Sequence, residues 1–179
     1  MNSKVKDICY IGLFTTLIII CSWISIPFVI PFTLQTFGIF ITLLCLGGKK
    51  GLCSIFIYIL LGIIGLPVFS SFNGGIGYLL SLNGGYILGF GIASFVYLIC
   101  EKLLMNNKFK DIISLSIMMV IIYIVGSLWF YFLYIKEVGE ITYLESLLST
   151  VVPFILGDII KIVLVLLTYR KIKNILKIC

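Results

Sequence analysis

Histidine is absent from this sequence, and its cysteines occur singly, without the paired spacing of a metal-binding motif. Zinc sites and most other transition-metal sites are built from clustered histidine and cysteine ligands, so the sequence predicts no metal centre. We interpret the cysteines as small apolar side chains that fill space between helices. They are Cys9, Cys21, Cys45, Cys53, Cys100 and Cys179.

Charged residues are also scarce, at 11% of the 179 residues, whereas 61% are hydrophobic. A soluble domain with a mean hydropathy of +1.26 would expose large apolar patches to water. The composition therefore predicts an integral membrane protein in which residues 1–179 form a single transmembrane domain within the lipid bilayer. No polar stretch is long enough for a nucleotide-binding or catalytic domain, so we expect any energy source to come from a partner or a gradient.

Apolar runs alternate with short polar or glycine-rich connections along the whole chain. A membrane-spanning helix needs about 20 apolar residues, so the first, fifth and sixth runs are long enough and the second is short. The pattern predicts an all-α membrane protein with six transmembrane helices, with five or seven crossings as open alternatives. The runs lie at 8–26, 34–46, 51–66, 84–100, 112–135 and 147–169.

The basic residues indicate the orientation in the membrane. Eleven of the 13 fall at the two ends of the chain or in alternate connections, and the positive-inside rule assigns those regions to the cytoplasm. Both termini are therefore predicted to be cytoplasmic, and the connections 27–33, 65–83 and 136–146 to lie outside. Four aromatic residues would then form a belt at the outer interface, and the net charge of +6 reflects topology and not a nucleic-acid-binding patch. The four are Trp23, Trp129, Tyr131 and Tyr134.

Asp158 and Lys161 form a charged pair inside the last apolar run. A charge at membrane depth costs roughly 2.5–3.5 kcal/mol on insertion scales, and such residues usually have a partner and a function. Their spacing puts both side chains on one helical face, where they offer an acceptor and a donor to a polar ligand. We predict a ligand site here, with a structural ion pair as the alternative. An intramembrane enzyme that uses Asp158 as a general acid or base is disfavoured, because the sequence supplies neither a second catalytic carboxylate nor a histidine.

The connection 65–83 is uncharged and contains two Asn-Gly-Gly segments, which begin at Asn73 and Asn83. Irregular backbone at membrane depth is tolerated where it is buried in protein or lines a cavity, so a lid or re-entrant loop over a binding site is predicted. A pair of ordinary tight turns is the alternative, because Asn-Gly is also a plain turn signal. Gln35, at the outer entry of the second run, is either a ligand contact or a hydrogen-bonding group at a helix end.

Several of these segments, in this order and spacing, resemble the signature segments of the BioY family. They are Pro31-Phe-Thr-Leu-Gln-Thr-Phe-Gly38, Gly65-Leu-Pro-Val-Phe69, Asn73-Gly-Gly-Ile-Gly-Tyr-Leu-Leu80, Gly84-Gly-Tyr-Ile-Leu-Gly-Phe90 and Pro153-Phe-Ile-Leu-Gly-Asp-Ile-Ile-Lys161. The family comprises the biotin-specific substrate-capture subunits, or S components, of bacterial energy-coupling-factor (ECF) transporters. The resemblance implies a six-helix protein of the bacterial cell membrane that is not itself an enzyme. Such a protein binds biotin at its outer side and delivers it through a coupling subunit and two ATPase subunits.

The resemblance also implies a set of binding residues. Asp158, Lys161 and Asn73 match family positions that bind the ligand. A carboxylate and an amide suit the N–H and carbonyl groups of the biotin ureido ring, and Lys161 would either meet the ureido carbonyl or keep Asp158 ionised. The thiophane ring and tail require an apolar, aromatic wall, which we assign to Phe69, Phe72, Tyr78 and Tyr86. No cofactor is implied beyond the ligand, and a capture subunit for another vitamin is the alternative.

Two features depart from the family pattern. Where family members often have a threonine and a proline, this chain reads Leu80-Ser-Leu-Asn83, and the loop is free of arginine, so the contact for the biotin carboxylate is left open. The first helix has Gly12 and Thr16 where the family usually has alanines that contact the coupling subunit. Both residues are small enough for close helix approach, which predicts a partner interface, with packing inside the chain as the alternative.

Overall fold

The computed structural model describes residues 3–27 and 30–176, so Lys177 and Cys179 lie outside the described residues. This part of the chain is mostly α-helical, as predicted. A 3₁₀ turn (Ser70–Phe72) and two short antiparallel strands, β1 (Ser25–Ile26) and β2 (Phe32–Thr33), are small departures from an all-α fold. The helices are α1 (Ser3–Trp23), α2 (Gln35–Ile63), α3 (Ile76–Leu79), α4 (Gly84–Leu103), α5 (Lys110–Glu137), α6 (Tyr143–Thr150) and α7 (Val152–Leu176).

Helix α2 reverses direction at Gly47. The backbone there has φ 74° and ψ 166°, a conformation that glycine adopts more readily than other residues. Gln35 Nε2 donates a hydrogen bond of 2.8 Å to the Tyr58 hydroxyl, although in a continuous helix these residues would be about 35 Å apart. Thus α2 consists of two antiparallel arms, 35–46 and 48–63.

Five helices among the described residues are long and apolar enough to span a membrane, namely α1, α2, α4, α5 and α7. The long α2 counts as one of them, although its two arms lie side by side. Each arm corresponds to a separate apolar run of the sequence, the second and the third. The number of membrane crossings therefore depends on how the arms of α2 lie in the bilayer.

Two contacts of charged side chains lie at one end of the helix bundle. Lys50, just after the reversal of α2, forms an ion pair of 2.6 Å with Asp7 near the start of α1. Nearby, the Gly48 N–H donates a hydrogen bond of 2.8 Å to Glu101 at the end of α4. The opposite end holds the strand pair, α3, α6 and the uncharged connection 65–83. Two tryptophans lie at this end, where Trp23 bonds to the Pro67 carbonyl and Trp129 to the Ser81 carbonyl.

The last apolar run, predicted as one helix over 147–169, is interrupted at Val151. The preceding α6 begins at a capping box formed by Thr142 and Glu145, within the predicted connection 136–146. Pro153 lies in the first turn of α7, where the missing N–H of proline costs little. This interruption, which the continuous hydrophobicity concealed, sets the start of the helix that carries Asp158.

Close packing between α4 and α5 depends on small residues. A Cβ atom placed on Gly85 would overlap the Trp129 side chain, and one placed on Gly89 would lie 3.4 Å from Ile122 Cα. Both glycines of this pair therefore pack within the bundle. On α5, Gly126 in turn makes room for the ring of Tyr86. The ring of Tyr86, on α4, therefore packs directly against α5.

Candidate functional site

A cavity lies between α2, α4, α5 and α7, near the end of the bundle that holds α3 and α6. Its wall combines apolar and aromatic side chains with several polar groups, as small-molecule binding sites do. The lining residues are Ile30, Pro31, Thr33, Gln35, Thr36, Ser70, Tyr78, Asn83, Tyr86, Ile87, Phe90, Ile122, Tyr123, Thr150, Phe154, Asp158 and Lys161.

Asp158 and Lys161 form a buried ion pair in this wall. The two residues are 5% and 4% exposed, and Lys161 Nζ lies 2.8 Å from Asp158 Oδ1. The ammonium group also donates hydrogen bonds to the Thr33 carbonyl at 2.6 Å and to the Thr36 hydroxyl at 3.2 Å. It lies 4.0 Å from the centre of the Phe32 ring. The three N–H donors of Lys161 therefore have three acceptors.

The second oxygen of Asp158 is held from another helix. Tyr123 on α5 donates a hydrogen bond of 2.5 Å to Asp158 Oδ2, and Thr36 on α2 lies 3.3 Å from Oδ1. An ionised carboxylate accepts about four hydrogen bonds, about two at each oxygen, and the Tyr123 hydroxyl uses one of the positions at Oδ2. Asp158 can therefore accept a further hydrogen bond from a ligand.

Five of the residues predicted from the sequence meet at this cavity: Gln35, Tyr78, Tyr86, Asp158 and Lys161. Gln35 begins α2 and is 4% exposed, and its amide nitrogen bonds to Tyr58. The hydroxyl groups of Tyr78 and Ser70 are 2.6 Å apart, and Tyr86 donates to the Thr150 carbonyl at 3.0 Å. The phenol groups are thus fixed by the protein, and their rings form part of the wall.

The other three predicted residues are not among the lining residues. Phe69 is fully buried behind the wall, where its ring covers Gly62 and stacks on Tyr78 with centroids 5.5 Å apart. Phe72 is 62% exposed and stacks on Trp23 instead. Asn73 is exposed, and its amide nitrogen bonds to the Ser70 carbonyl at 2.8 Å, within its own loop. Direct contact of these residues with a ligand stays a prediction.

Sequence reasoning missed several polar residues of the cavity, among them Thr36, Tyr123 and Asn83. A signal existed for Tyr123, since a phenol between Ile122 and Ile124 interrupts an otherwise aliphatic stretch. Thr36 directly follows Gln35, which is itself a candidate from the sequence. Asn83 precedes two glycines, a pattern that indicates a tight turn. Its position in the wall shows that the two Asn-Gly-Gly segments differ in their surroundings.

Gly12 and Thr16 lie on the outward face of α1. Both are exposed, and a Cβ atom placed on Gly12 would meet no atom within 4 Å. The Thr16 hydroxyl bonds to the Gly12 carbonyl at 3.0 Å, within the same helix. Packing inside the chain, the alternative for this pair, is therefore wrong, and a partner interface stays a prediction.

Known proteins resemble this chain over nearly its whole length. The model of the BioY family matches residues 1–178. The biotin transporter BioY of Thermotoga maritima is 36% identical over 166 residues, covering 91% of this chain and 93% of the relative. That of Lactococcus lactis is 34% identical over 182 residues, covering 97% and 93%. A crystal structure of the S-component for biotin from an ECF-type ABC transporter superposes with a TM-score of 0.85 at 31% identity, covering 97% of this chain and 95% of that one.

Proposed function

The chain belongs to the BioY family, and from this premise we propose that it binds biotin and serves biotin uptake as the substrate-capture subunit of an ECF-type ABC transporter. The observation that carries this function is the buried pair of Asp158 and Lys161, bonded to Tyr123, in the wall of the cavity. A transport subunit requires such a site for its ligand but no catalytic residues. The protein is accordingly a multi-pass membrane transport component and not an enzyme.

The chemistry of the wall suits the two halves of biotin. A ureido N–H can donate to Asp158 Oδ2, which has acceptor capacity left beside the Tyr123 bond. Lys161 is the bonded counter-charge of this carboxylate. The thiophane ring and the methylene tail would then pack on Tyr86, Phe90 and Ile87, which line the same cavity. These residues favour a binding mode in which the ureido ring of biotin lies at the ion pair and the methylene tail lies along the aromatic wall.

We further propose six membrane crossings with both termini in the cytoplasm. The reversal of α2 at Gly47 supports this count, because each arm then crosses separately. The arms are short for a bilayer, and a crossing by a short helix is accommodated by local thinning of the bilayer or by packing against longer neighbours. Lys49 and Lys50 at the reversal share one end of the bundle with the start of α1, which fits a cytoplasmic location.

Transport requires partners that this chain does not contain. We propose that it works in the bacterial cell membrane with an ECF coupling subunit and two ATPase subunits. The outward face of α1 around Gly12 and Thr16 offers a smooth, small-residue surface for the helices of the coupling subunit. ATP hydrolysis then takes place in the partners, and this chain supplies specificity.

Binding of radiolabelled biotin to the purified protein tests the function directly. We expect saturable binding that unlabelled biotin displaces, whereas a chemically unrelated vitamin such as thiamine does not. The Asp158→Asn variant, purified in the same detergent, is the matched control and should retain little binding. Saturable binding of another vitamin but not biotin would show that the ligand has been assigned wrongly.

A further inference from the structure

Asn83 contributes an unbonded carboxamide to the wall of the cavity. Its Oδ1 is buried without a hydrogen-bond partner, a condition that Ser146 Oγ alone shares within residues 3–27 and 30–176, and Ser146 does not line the cavity. The Nδ2 atom of Asn83 has no hydrogen-bond partner in the described part of the chain either. The two N–H groups of Nδ2 are therefore unused donors at the cavity wall, and a ligand can accept from them.

The usual structural roles of asparagine do not account for Asn83. It directly precedes α4, where asparagine commonly caps a helix, but its side chain makes no capping hydrogen bond. Its backbone is already helical, with φ −82° and ψ −18°, so the residue is not needed for a left-handed turn. Its backbone N–H and carbonyl are satisfied by Ser81 and Tyr86. The side chain is therefore free to serve the cavity.

The packing of α4 against α5 gives the depth of Asn83. Gly89 on α4 lies against Ile122, whose neighbour Tyr123 holds Asp158. Asn83 precedes Gly89 by six positions, which corresponds to a rise of about 9 Å along the helix axis. Asn83 is thus well separated from the ion pair, toward the end of the bundle that holds α3 and α6. A bicyclic ring with an extended tail can bridge a distance of this order.

We propose that Asn83 binds the carboxylate of the biotin tail through Nδ2–H, an inference that rests on the proposed function. Among the described lining residues Lys161 is the basic one, and Asp158, Thr33 and Thr36 already occupy its donors. Asp158 would repel a carboxylate placed near it, so the acidic end of the ligand points away from the ion pair.

Neutral donors can complete this carboxylate subsite. The hydroxyl groups of Ser70 and Tyr78, 2.6 Å apart, line the same cavity. Their mutual hydrogen bond uses one of their two protons, which leaves the other to donate to an anion. Asn83, Ser70 and Tyr78 together would therefore recognise the tail carboxylate without an arginine or a second lysine.

The test compares biotin with biotinamide, in which a neutral amide replaces the tail carboxylate. Dissociation constants are measured by calorimetry on the purified full-length protein. Asn83→Ala should weaken biotin binding about tenfold, because a hydrogen bond to a charged group is stronger than one to a neutral group. Binding of biotinamide should weaken much less. Asn83→Asp adds a negative charge and should make the variant prefer biotinamide. Asn83→Ser keeps a donor and should retain more of the preference for biotin than Asn83→Ala.

The matched control is Asn106→Ala, which removes the same amide from an exposed position at the opposite end of the bundle. It should leave both dissociation constants unchanged. Equal loss of biotin and biotinamide binding in Asn83→Ala, or unimpaired biotin binding by Asn83→Asp, would overturn the carboxylate subsite while leaving biotin capture intact. If Asn83→Ala does not fold, the two polar variants decide by the same comparison. A wild-type protein that binds neither compound would overturn the proposed function itself.

Discussion

The hydroxyl group of Tyr123 on α5 donates a 2.5 Å hydrogen bond to Asp158 Oδ2 on α7. Thr36 on α2 and Lys161 on α7 bond to the other oxygen. The carboxylate is therefore held by three helices, and its orientation toward the cavity depends on how those helices pack. The position of the acceptor that would meet a ligand is thus a property of the tertiary structure and not of α7 alone.

Neutralising Asp158 should abolish most biotin binding. Asp158→Asn leaves the ammonium of Lys161 buried without its counter-charge, and breaking a buried pair in this way costs about 3–5 kcal/mol. We expect biotin affinity to fall at least a hundredfold while the protein still inserts into the membrane, as measured by calorimetry and by size-exclusion chromatography in detergent.

The ion pair between Lys50 and Asp7 provides a matched control for this variant. Its side chains are 46% and 37% exposed, and exposed pairs contribute about 0–1 kcal/mol. Asp7→Asn should therefore change neither biotin affinity nor folding measurably. Normal affinity in Asp158→Asn would mean that the buried pair only joins helices.

Much of the fold could be predicted from the sequence, because a bilayer demands long apolar helices and leaves a clear signal in composition. The fourth and fifth runs, at 84–100 and 112–135, lie within α4 and α5 almost to their ends. The break at Val151 could not be seen, because apolar residues continue through it and only the local backbone geometry changes. The reversal at Gly47 was indicated by the glycines and lysines that separate the second and third runs.

Part of the site could also be predicted, because a charged residue in an apolar run is easy to recognise. Asp158 and Lys161 are conspicuous, since charges are rare in apolar runs, and they do lie together in the cavity wall. Asn73 and Asn83 have the same local sequence, so only tertiary packing separates an exposed loop amide from one in the cavity. Which of two similar segments faces the interior depends on the helices around it, and no local pattern carries that information.

The proposed topology predicts opposite labelling of two connections. In a cysteine-free variant, a single cysteine replacing Glu140 should react with a membrane-impermeant maleimide added to intact cells. A single cysteine replacing Lys108 should react only after the membrane is made permeable, because the basic connection is expected in the cytoplasm. Selective labelling of position 108 from outside would reverse the whole orientation.

Phe69 packs behind Tyr78, which lines the cavity, and Gly62 leaves room for the Phe69 ring. A Cβ atom at residue 62 would overlap the Phe69 ring, so Gly62→Ala should destabilise the protein by about 1–3 kcal/mol through overpacking. Because Phe69 stacks on Tyr78, biotin affinity should fall as well. Gly77→Ala is the control, since its Cβ atom would meet nothing within 4 Å. Equal thermal stability of the two variants in detergent would contradict this role.

The exposed face of α1 around Gly12 predicts that biotin uptake can be impaired while biotin binding stays normal. Gly12→Leu adds a bulky side chain on an exposed face, so the isolated protein should bind biotin normally. Cells that produce the variant with the transporter partners should take up biotin more slowly, because the helices of the coupling subunit could no longer approach closely. Leu13→Ile, at an exposed neighbouring position, is a control for substitutions on this helix. Normal uptake by Gly12→Leu would move the partner interface elsewhere.

Tyr123→Phe tests whether the orientation of Asp158 matters for recognition. The substitution keeps the ring in the wall but removes the hydrogen bond to Oδ2, and hydrogen bonds to charged groups contribute about 1.5–3 kcal/mol. We expect biotin affinity to fall at least tenfold. The preference for biotin over an analogue methylated on a ureido nitrogen should fall as well, because a carboxylate held only at Oδ1 discriminates less between them. Tyr10→Phe, on α1 and away from the cavity, removes a hydroxyl group without touching this site and should change neither value. Reduced affinity with an unchanged preference would show that Tyr123 stabilises the helix packing but does not aim the acceptor at the ligand.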